Sequence, residues 1–320
     1  ALRFLPDAYN LVLIGFGASG VVKALIGYMR EGGVAVRLNA RAQAIERDPE
    51  TGAAAFVRVA GERRSIAARK IILATGGLSY PATGSTGDGY AMAGALGHTI
   101  APPRPALVPL ETVERFPMEL QGLSLENVEV TAFASGRKLA AEFGDMLFTH
   151  FGVSGPIILR MSGAVVERHE RGERIELSIN LKPALDEAKL DGRLLREFAG
   201  AGTKTLRSAM KNVLPKALIP VILGAVGIPA DKKCNQITSG ERKALVGAFK
   251  DFRLTVRRPR PVAEAIITRG GIDLREIDPR TMESKKARGL YFCGEVIDID
   301  GTTGGYNLQA AFSTAYLAAR

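Results

Sequence analysis

Leu11-Val12-Leu13-Ile14-Gly15-Phe16-Gly17-Ala18-Ser19-Gly20 is the stretch on which the fold of this chain turns. Four apolar residues in succession suit a strand buried on both faces of a parallel sheet. The run passes directly into G-x-G-x-x-G. The first glycine of that pattern makes a tight turn, the second lets backbone approach a pyrophosphate, and the third lets a helix pack closely. Gly15, Gly17 and Gly20 thus predict a strand–turn–helix dinucleotide site, with amides at the helix start aimed at the anion. A purely steric glycine turn would read the same way, so the rest of the chain must corroborate.

One partner of the motif is missing. The fingerprint calls for an acidic residue about 20 positions on, to hold the ribose hydroxyls, yet no Asp or Glu occurs between Glu31 and Glu46. Val34 to Ile45 reads instead as one strand of a hairpin whose partner is Ala54 to Val59, where a second parallel strand should stand. We expect a segment to be missing between Gly20 and Val21, with a Cα separation well beyond the roughly 3.8 Å of a trans peptide. A continuous chain there would count against binding of the dinucleotide.

The same grammar returns further on. Lys70 to Leu73 is a strand running into Ala74-Thr75-Gly76-Gly77, and the Gly/Thr-rich stretch 80–89 precedes an Ala-rich helix, Tyr90 to Leu96. Thr86 and Asp88 are expected to cap that helix, which offers either an anion site or a capped end alone. Residues 98–183 hold short β-type runs such as Val128 to Phe133 and the Pro-broken link Pro102-Pro103-Arg104-Pro105. Residues 184–261 carry Leu, Ala and Lys at helical spacing. From Ala263 the strand-then-glycine pattern resumes, at Ala265 to Gly271 and at Gly289 to Glu295, before a closing helix reaching Arg320. The expected organisation is α/β: a discontinuous nucleotide-binding domain, 1–97 with 262–320, interrupted by a β-rich insertion (98–183) and a helical one (184–261).

Composition bounds the function. In 320 residues, 46% are hydrophobic and 24% charged, as in ordinary globular proteins, and 36 glycines exceed the usual share. The net charge of +10 is spread along the chain and reads mostly as solvated faces, leaving room for an anionic cofactor or nucleic acid. Cys234 and Cys293 show no CxxC spacing, so a reducing, cytoplasmic setting is expected. The longest apolar run, Leu218 to Pro229, falls short of a membrane span, and Ala1 to Asn10 lack the grading of a signal peptide. No metal site is expected, because His98, His150 and His169 are isolated.

Five stretches in order carry a resemblance: GFGASG at 15–20, ATGGLSYPATGSTGDGY at 74–90, LFTHFGVSGP at 147–156, TRGGIDLREIDPRTMESK at 268–285 and GLYFCGEVIDIDGTTGGYNLQAAFST at 289–314. Together they resemble the YhiN/BaiN-like flavoproteins, also described as NAD(P)/FAD-dependent oxidoreductases or an aminoacetone oxidase family. The resemblance implies a Rossmann-like FAD-binding domain of the glutathione reductase and fumarate reductase flavoprotein type, with inserted β-barrel-like and helical subdomains. It implies noncovalent FAD, with the pyrophosphate on Gly15, Gly17, Ala18, Ser19 and Gly20 and the adenine against the backbone near Ala42. Thr75, Gly76 and Gly77 would turn over the cofactor, and Glu295 after Gly294 would hold the ribityl hydroxyls. Gly305, Tyr306, Asn307 and Leu308 would present the amino end of the last helix to the flavin N1/O2 edge. A positive helix end there stabilises the charge of the reduced ring.

The expected function is an FAD-dependent oxidoreductase acting on an unidentified small molecule. With only one GxGxxG in the chain, NAD(P)H would dock transiently as reductant rather than occupy a domain of its own. Tyr80, Arg160, Arg269 and Tyr306 carry donors near the flavin-type motifs and are candidates for the substrate side, while the catalytic residues stay unassigned. Cys293 reads as a small buried residue. Two alternatives remain open: a flavoprotein binding or modifying RNA, suggested by the basic helical block around Lys204, Lys211 and Lys216, and a non-catalytic flavin-binding protein. Nucleic acid is the lesser expectation of these partners, no membrane partner is expected, and the oligomeric state is undetermined.

Overall fold

The computed structural model of the chain describes residues 18–320, with side chains from residue 20 on. Leu11 to Ile14, Gly15 and Gly17 lie outside the described residues. Helix α1, Ala18–Glu31, runs unbroken through Gly20 and Val21. The expected gap is therefore absent: Val21-Val22-Lys23-Ala24-Leu25-Ile26 continues the helix with no breaking residue. Its end at Gly32 and Gly33, the latter at φ +69°, turns the chain into an irregular stretch rather than a second parallel strand.

The hairpin follows, on a shorter first strand than Val34 to Ile45. Strand β1 (Ala42–Arg47) pairs antiparallel with β2 (Ala54–Val59), and β2 with the two-residue β3 (Ile66–Ala67). Strand β4 (Ile71–Leu73) then leads to the Thr75–Gly77 turn and to α2 (Asp88–Ala95). The N-cap of α2 is Gly87 at φ +82°, without a side-chain cap, and Asp88 pairs with Arg41 at 2.7 and 2.8 Å. This corrects the capping expectation, since glycine takes the left-handed cap conformation at little steric cost. The Pro-rich link is a strand as well, β5 (Ile100–Ala106). Among the described residues it pairs with one strand, from the C-terminal part of the chain, and an edge position tolerates residues that lack an N–H.

The β-rich insertion closes into a barrel. Strand β6 (Leu110–Thr112) precedes the short α3 (Phe116–Glu119), the long hairpin β7 (Ser124–Ala134) and β8 (Arg137–Thr149), then β9 (Gly152–Ser154), α4 (Pro156–Glu170) and β10 (Ile175–Asn180). Alternation drives it: Val128, Val130, Ala132 and Ala134 on β7, and Ile175, Leu177 and Ile179 on β10, are all buried. Helix α4 starts with proline after Gly155 (φ +93°), where a Cβ would strike the Met146 backbone, and its Ile157, Ile158, Met161 and Val165 join the barrel core. The helical block comprises α5 (Glu187–Ala201), α6 (Leu206–Ala209), α7 (Leu218–Ala225) and α8 (Ser239–Lys250). Next comes β11 (Phe252–Pro259), which lies inside the expected helical segment yet pairs with β10 and β6 to close the barrel order β10-β11-β6-β9-β8-β7. The helices are thus an excursion between two barrel strands, and their core is continuous with that of the barrel.

The chain then returns through β12 (Ile267–Ile272), antiparallel to β5, and β13 (Leu290–Phe292) to α9 (Gly304–Ala319). Strand β13 pairs parallel with β4, Leu290 opposite Ile71 and Phe292 opposite Leu73. Segments separated by more than two hundred residues therefore end side by side, over a second core that includes Ile71, Leu73, Ile272, Leu290, Phe292 and Val296. Among the described residues no helix is long and apolar enough to cross a membrane.

Candidate functional site: a cleft at two parallel strand ends

In open α/β sheets ligands bind beyond the carboxyl ends of the strands, and here both strand ends are glycine turns. After β4 come Thr75, Gly76 and Gly77; after β13 come Cys293, Gly294 and Glu295. A Cβ on Gly77 would stand 2.5 Å from Glu295 Oε1, so the two turns touch only because residue 77 has no side chain. Gly76, at φ +73°, adopts a conformation that glycine tolerates and lies against Ser85.

Thr268, fully buried on β12, ties the turns together, and sequence reasoning missed it. Its backbone N–H donates to Glu295 Oε1 at 2.7 Å, while its hydroxyl oxygen accepts from Leu78 N at 2.7 Å and Ser79 N at 3.1 Å. Glu295 Oε2 takes no hydrogen bond among the described residues. Tyr90 donates to the Glu295 carbonyl at 3.4 Å. Burial, helped by the charges of Glu295 and Asp298, pushes the Tyr90 phenol up to about 12, so it stays protonated at neutral pH. Burial likewise raises the Cys293 thiol, which makes it a poor nucleophile.

Helix α9 completes the cleft. Its N-cap, Thr303, makes no side-chain cap, so the first-turn amides are open. The Asn307 side chain straps the incoming loop instead: Oδ1 accepts from Gly301 N at 2.9 Å, and Nδ2 donates to Gly301 O at 3.0 Å and Thr303 O at 2.8 Å. Gly294 N donates to Thr314 Oγ1 at 3.0 Å, anchoring the other turn to the same helix. Between them opens a cavity of about 320 Å³, with Ile266, Ile267, Ile297 and Leu308 as apolar walls and Glu295 and Asn307 as polar groups. That is the low end of the roughly 300–1,000 Å³ of small-molecule sites, with their usual mix of apolar walls and few polar groups.

The structure gathers Gly294, Glu295, Asn307 and Leu308 around one cleft, with Gly77 packed against Glu295; Gly76, against Ser85, and Thr75, beside Gly89, are not among the residues that line it. Gly305 and the exposed Tyr306 lie in the first turn of α9. Ala18, Ser19 and Gly20 sit at the start of α1, and Ala42 begins β1, opposite Val59. Two substrate-side candidates are engaged elsewhere. Arg160 bonds Glu142 at 2.8 Å, and Arg269 grips Asp300 in a two-pronged pair at 2.7 and 3.0 Å. Tyr80 is half exposed at φ +50°. The apolar walls and Thr268 were hard to find because Ile and Thr announce nothing by type; the alternation Ile297-Asp298-Ile299-Asp300 was the available signal.

This donor set fits the flavin half of a dinucleotide in its chemistry: apolar walls, a carboxylate acceptor for ribityl hydroxyls and open amides at a positive helix end. The adenosine half has less support. Gly15 and Gly17 lie outside the described residues, and the unbroken α1 leaves the ribose acid simply absent from the sequence.

Three relatives bear on this geometry. The chain is 30% identical over 304 residues to a protein of Clostridium scindens named 3-dehydro-bile acid delta(4,6)-reductase, covering 95% of this chain and 73% of the relative. It is 32% identical over 303 residues to a ribosomal RNA dihydrouridine synthase of Escherichia coli, covering 95% of this chain and 72% of the relative. A protein of the same name from Haemophilus influenzae is 31% identical over 309 residues, with 95% and 72% covered. Residues 12–320 match the family described as HI0933-like protein Rossmann domain. The chain belongs to this HI0933-like Rossmann family, the YhiN/BaiN-like flavoproteins that its glycine motifs resemble.

Proposed function

We propose that this protein is an FAD-dependent oxidoreductase that saturates a carbon–carbon double bond conjugated with a carbonyl group. The observation that carries it is the meeting of Glu295 with the open amino end of α9 at the ends of β4 and β13. Bound FAD supplies hydride transfer and gathers negative charge at its N1/O2 edge when reduced. The chain's own part is positional. With the cofactor bound, the α9 amides would stabilise that charge, Glu295 would receive hydroxyl donors, and the isoleucine walls would exclude water, which strengthens polar contacts inside a cleft.

The reaction class draws on the relatives' names. A 3-dehydro bile acid with delta(4,6) unsaturation and the uracil ring of RNA both hold an alkene conjugated with a carbonyl, so one hydride chemistry serves both. NAD(P)H is the proposed transient reductant. RNA is a second reading for the substrate carrier, favoured by the basic helical block.

The test is anaerobic. Purified protein should reduce its bound flavin with NADH or NADPH, and adding a conjugated steroid dienone or uridine-containing RNA should reoxidise it with formation of the saturated product. Flavin reduction without reoxidation by either acceptor would refute the reaction class; absence of flavin would refute the whole reading.

A further inference from the structure

Thr268 and Arg269 are consecutive on β12, so their side chains leave opposite faces of the strand. Thr268 holds the glycine turn and Glu295, one half of the cleft. Arg269 reaches the other half. Its Nε and Nη2 donate to Asp300 at 3.0 and 2.7 Å in a two-pronged pair, and Asp300 lies in the loop that feeds α9. The next residue, Gly301, is the one strapped by Asn307 from within α9. The loop is therefore fixed at two adjacent residues, once from the strand and once from the helix it leads into.

Helix α4 closes over this pair. A Cβ on Gly163 would stand 2.9 Å from Arg269 Nη1 and 3.1 Å from Nη2, so the guanidinium fits here because residue 163 has no side chain. Glycine is unfavourable inside a helix, and Gly163 sits midway along α4 with no left-handed conformation to require it. Leu159, one turn earlier on the same face, packs against the cluster that contains Ile267, which shares a face of β12 with Arg269. Ile157, Ile158, Met161 and Val165 of the same helix belong to the barrel core. An arginine offered to a substrate would keep its fork free; this one commits its fork to a carboxylate only 19% exposed. A forked, half-buried pair fixes geometry in a way that a single surface contact does not.

We propose that Arg269 and Asp300 are a positioning pair, which sets the loop 298–303, and with it the amino end of α9, against the Glu295 turn. The inference rests on the flavin reading above and deepens it: the barrel insertion, through α4, fixes the half of the cleft that meets the charged edge of the reduced ring.

The experiment uses the full chain as wild type, Arg269→Lys, Asp300→Asn and the double variant. Hydrogen exchange without added FAD is read at the Gly301 and Asn307 amides, which bond Asn307 Oδ1 and Thr303 O, with the Leu78 and Ser79 amides held by Thr268 as internal reference. Each single variant should quicken exchange at Gly301 and Asn307 by about tenfold and leave Leu78 and Ser79 within about twofold. The double variant should add little, because either change already breaks the one contact. Unchanged exchange at Gly301 and Asn307, or equal quickening at all four amides, would overturn the pair's role. The second readout is the flavin midpoint potential of Arg269→Lys. Lysine keeps the charge and loses the fork, so a displaced α9 end should weaken reduced flavin about tenfold relative to oxidised flavin, a fall of about 30 mV for a two-electron couple. An unchanged potential would overturn the link to the cofactor. A wild type that takes up no flavin yet shows the expected exchange pattern would refute the flavin reading instead and leave the pair as the clamp of its loop.

Discussion

Replacing Thr268 by valine keeps its shape and removes one oxygen. That oxygen accepts from Leu78 N at 2.7 Å and Ser79 N at 3.1 Å, at a position only 1% exposed. Valine cannot replace the acceptor, so both amides lose their partner. A buried unsatisfied donor costs about 1–3 kcal/mol. Ser79 is fully buried and Leu78 partly so, which places the sum at about 2–4 kcal/mol, a large share of the roughly 5–15 kcal/mol of a typical domain. The assay is native-state hydrogen exchange at Leu78 and Ser79 together with denaturant unfolding. Exchange should quicken by about 30- to 1,000-fold, at a tenfold change per 1.4 kcal/mol, and bound flavin should be lost more readily. Thr268→Ser, which keeps the oxygen, should stay within about 1 kcal/mol of the wild type. If valine and serine behave alike, Thr268 does not hold the 76–79 turn and the account of the cleft fails at its base.

Three further outcomes are expected. Glu295→Gln retains an acceptor for Thr268 N but removes the charge, so FAD titration should show about tenfold weaker binding with little change in stability; unchanged affinity would take Glu295 out of the site. Asn307→Asp loses the two bonds donated by Nδ2 and puts a negative charge in the first turn of α9, so the flavin midpoint potential should fall by about 10–40 mV; a rise would contradict the helix-end argument. His98 is buried, with Nε2 2.8 Å from Ser284 Oγ and Nδ1 3.2 Å from Glu276, packed edge-on against Phe292, with Lys286 and Arg47 as facing cations. Burial holds it below its ordinary 6.5, so the unfolded chain binds more protons on acidification. Its stabilisation is complete above about pH 6.5 and is lost as pH falls, by up to about 1.4 kcal/mol per pH unit. Glu276 and Asp273, each brought down to about 2, act only below their ordinary carboxylate range. Urea melts between pH 5 and 7 should therefore show a slope that His98→Gln abolishes, and an unchanged slope would refute the assignment.

What the sequence made legible was local. The glycine turns, the hairpin partner Ala54–Val59 and the closing helix follow from residue types whose conformational preferences act over a few positions. The parallel pairing of β4 with β13 was implied only by two similar strand-then-glycine segments, because nothing in either strand encodes its partner. Strand β11 shows why boundaries failed. Phe252, Leu254 and Val256 alternate with outward residues, but they follow directly on α8, so the helical pattern masked a strand that the barrel needed for closure. The prolines of β5 misled for the opposite reason: a missing N–H is harmless on a two-stranded edge. Continuity of α1 through Gly20 turned on helix-compatible residues after the glycine loop, and the absent ribose acid stays as a true departure from the fingerprint. In the cleft, the charged and glycine positions were readable by type, whereas Thr268 gained its role from three segments meeting in space.

The most direct test is the absorbance spectrum of the purified protein, followed through anaerobic addition of NADPH and then NADH. The account predicts a bound flavin in a ratio near one per chain, bleached by at least one of the two nicotinamides and released by disruption of Glu295 or the α9 amino end. A colourless protein that fails to take up added FAD would contradict it.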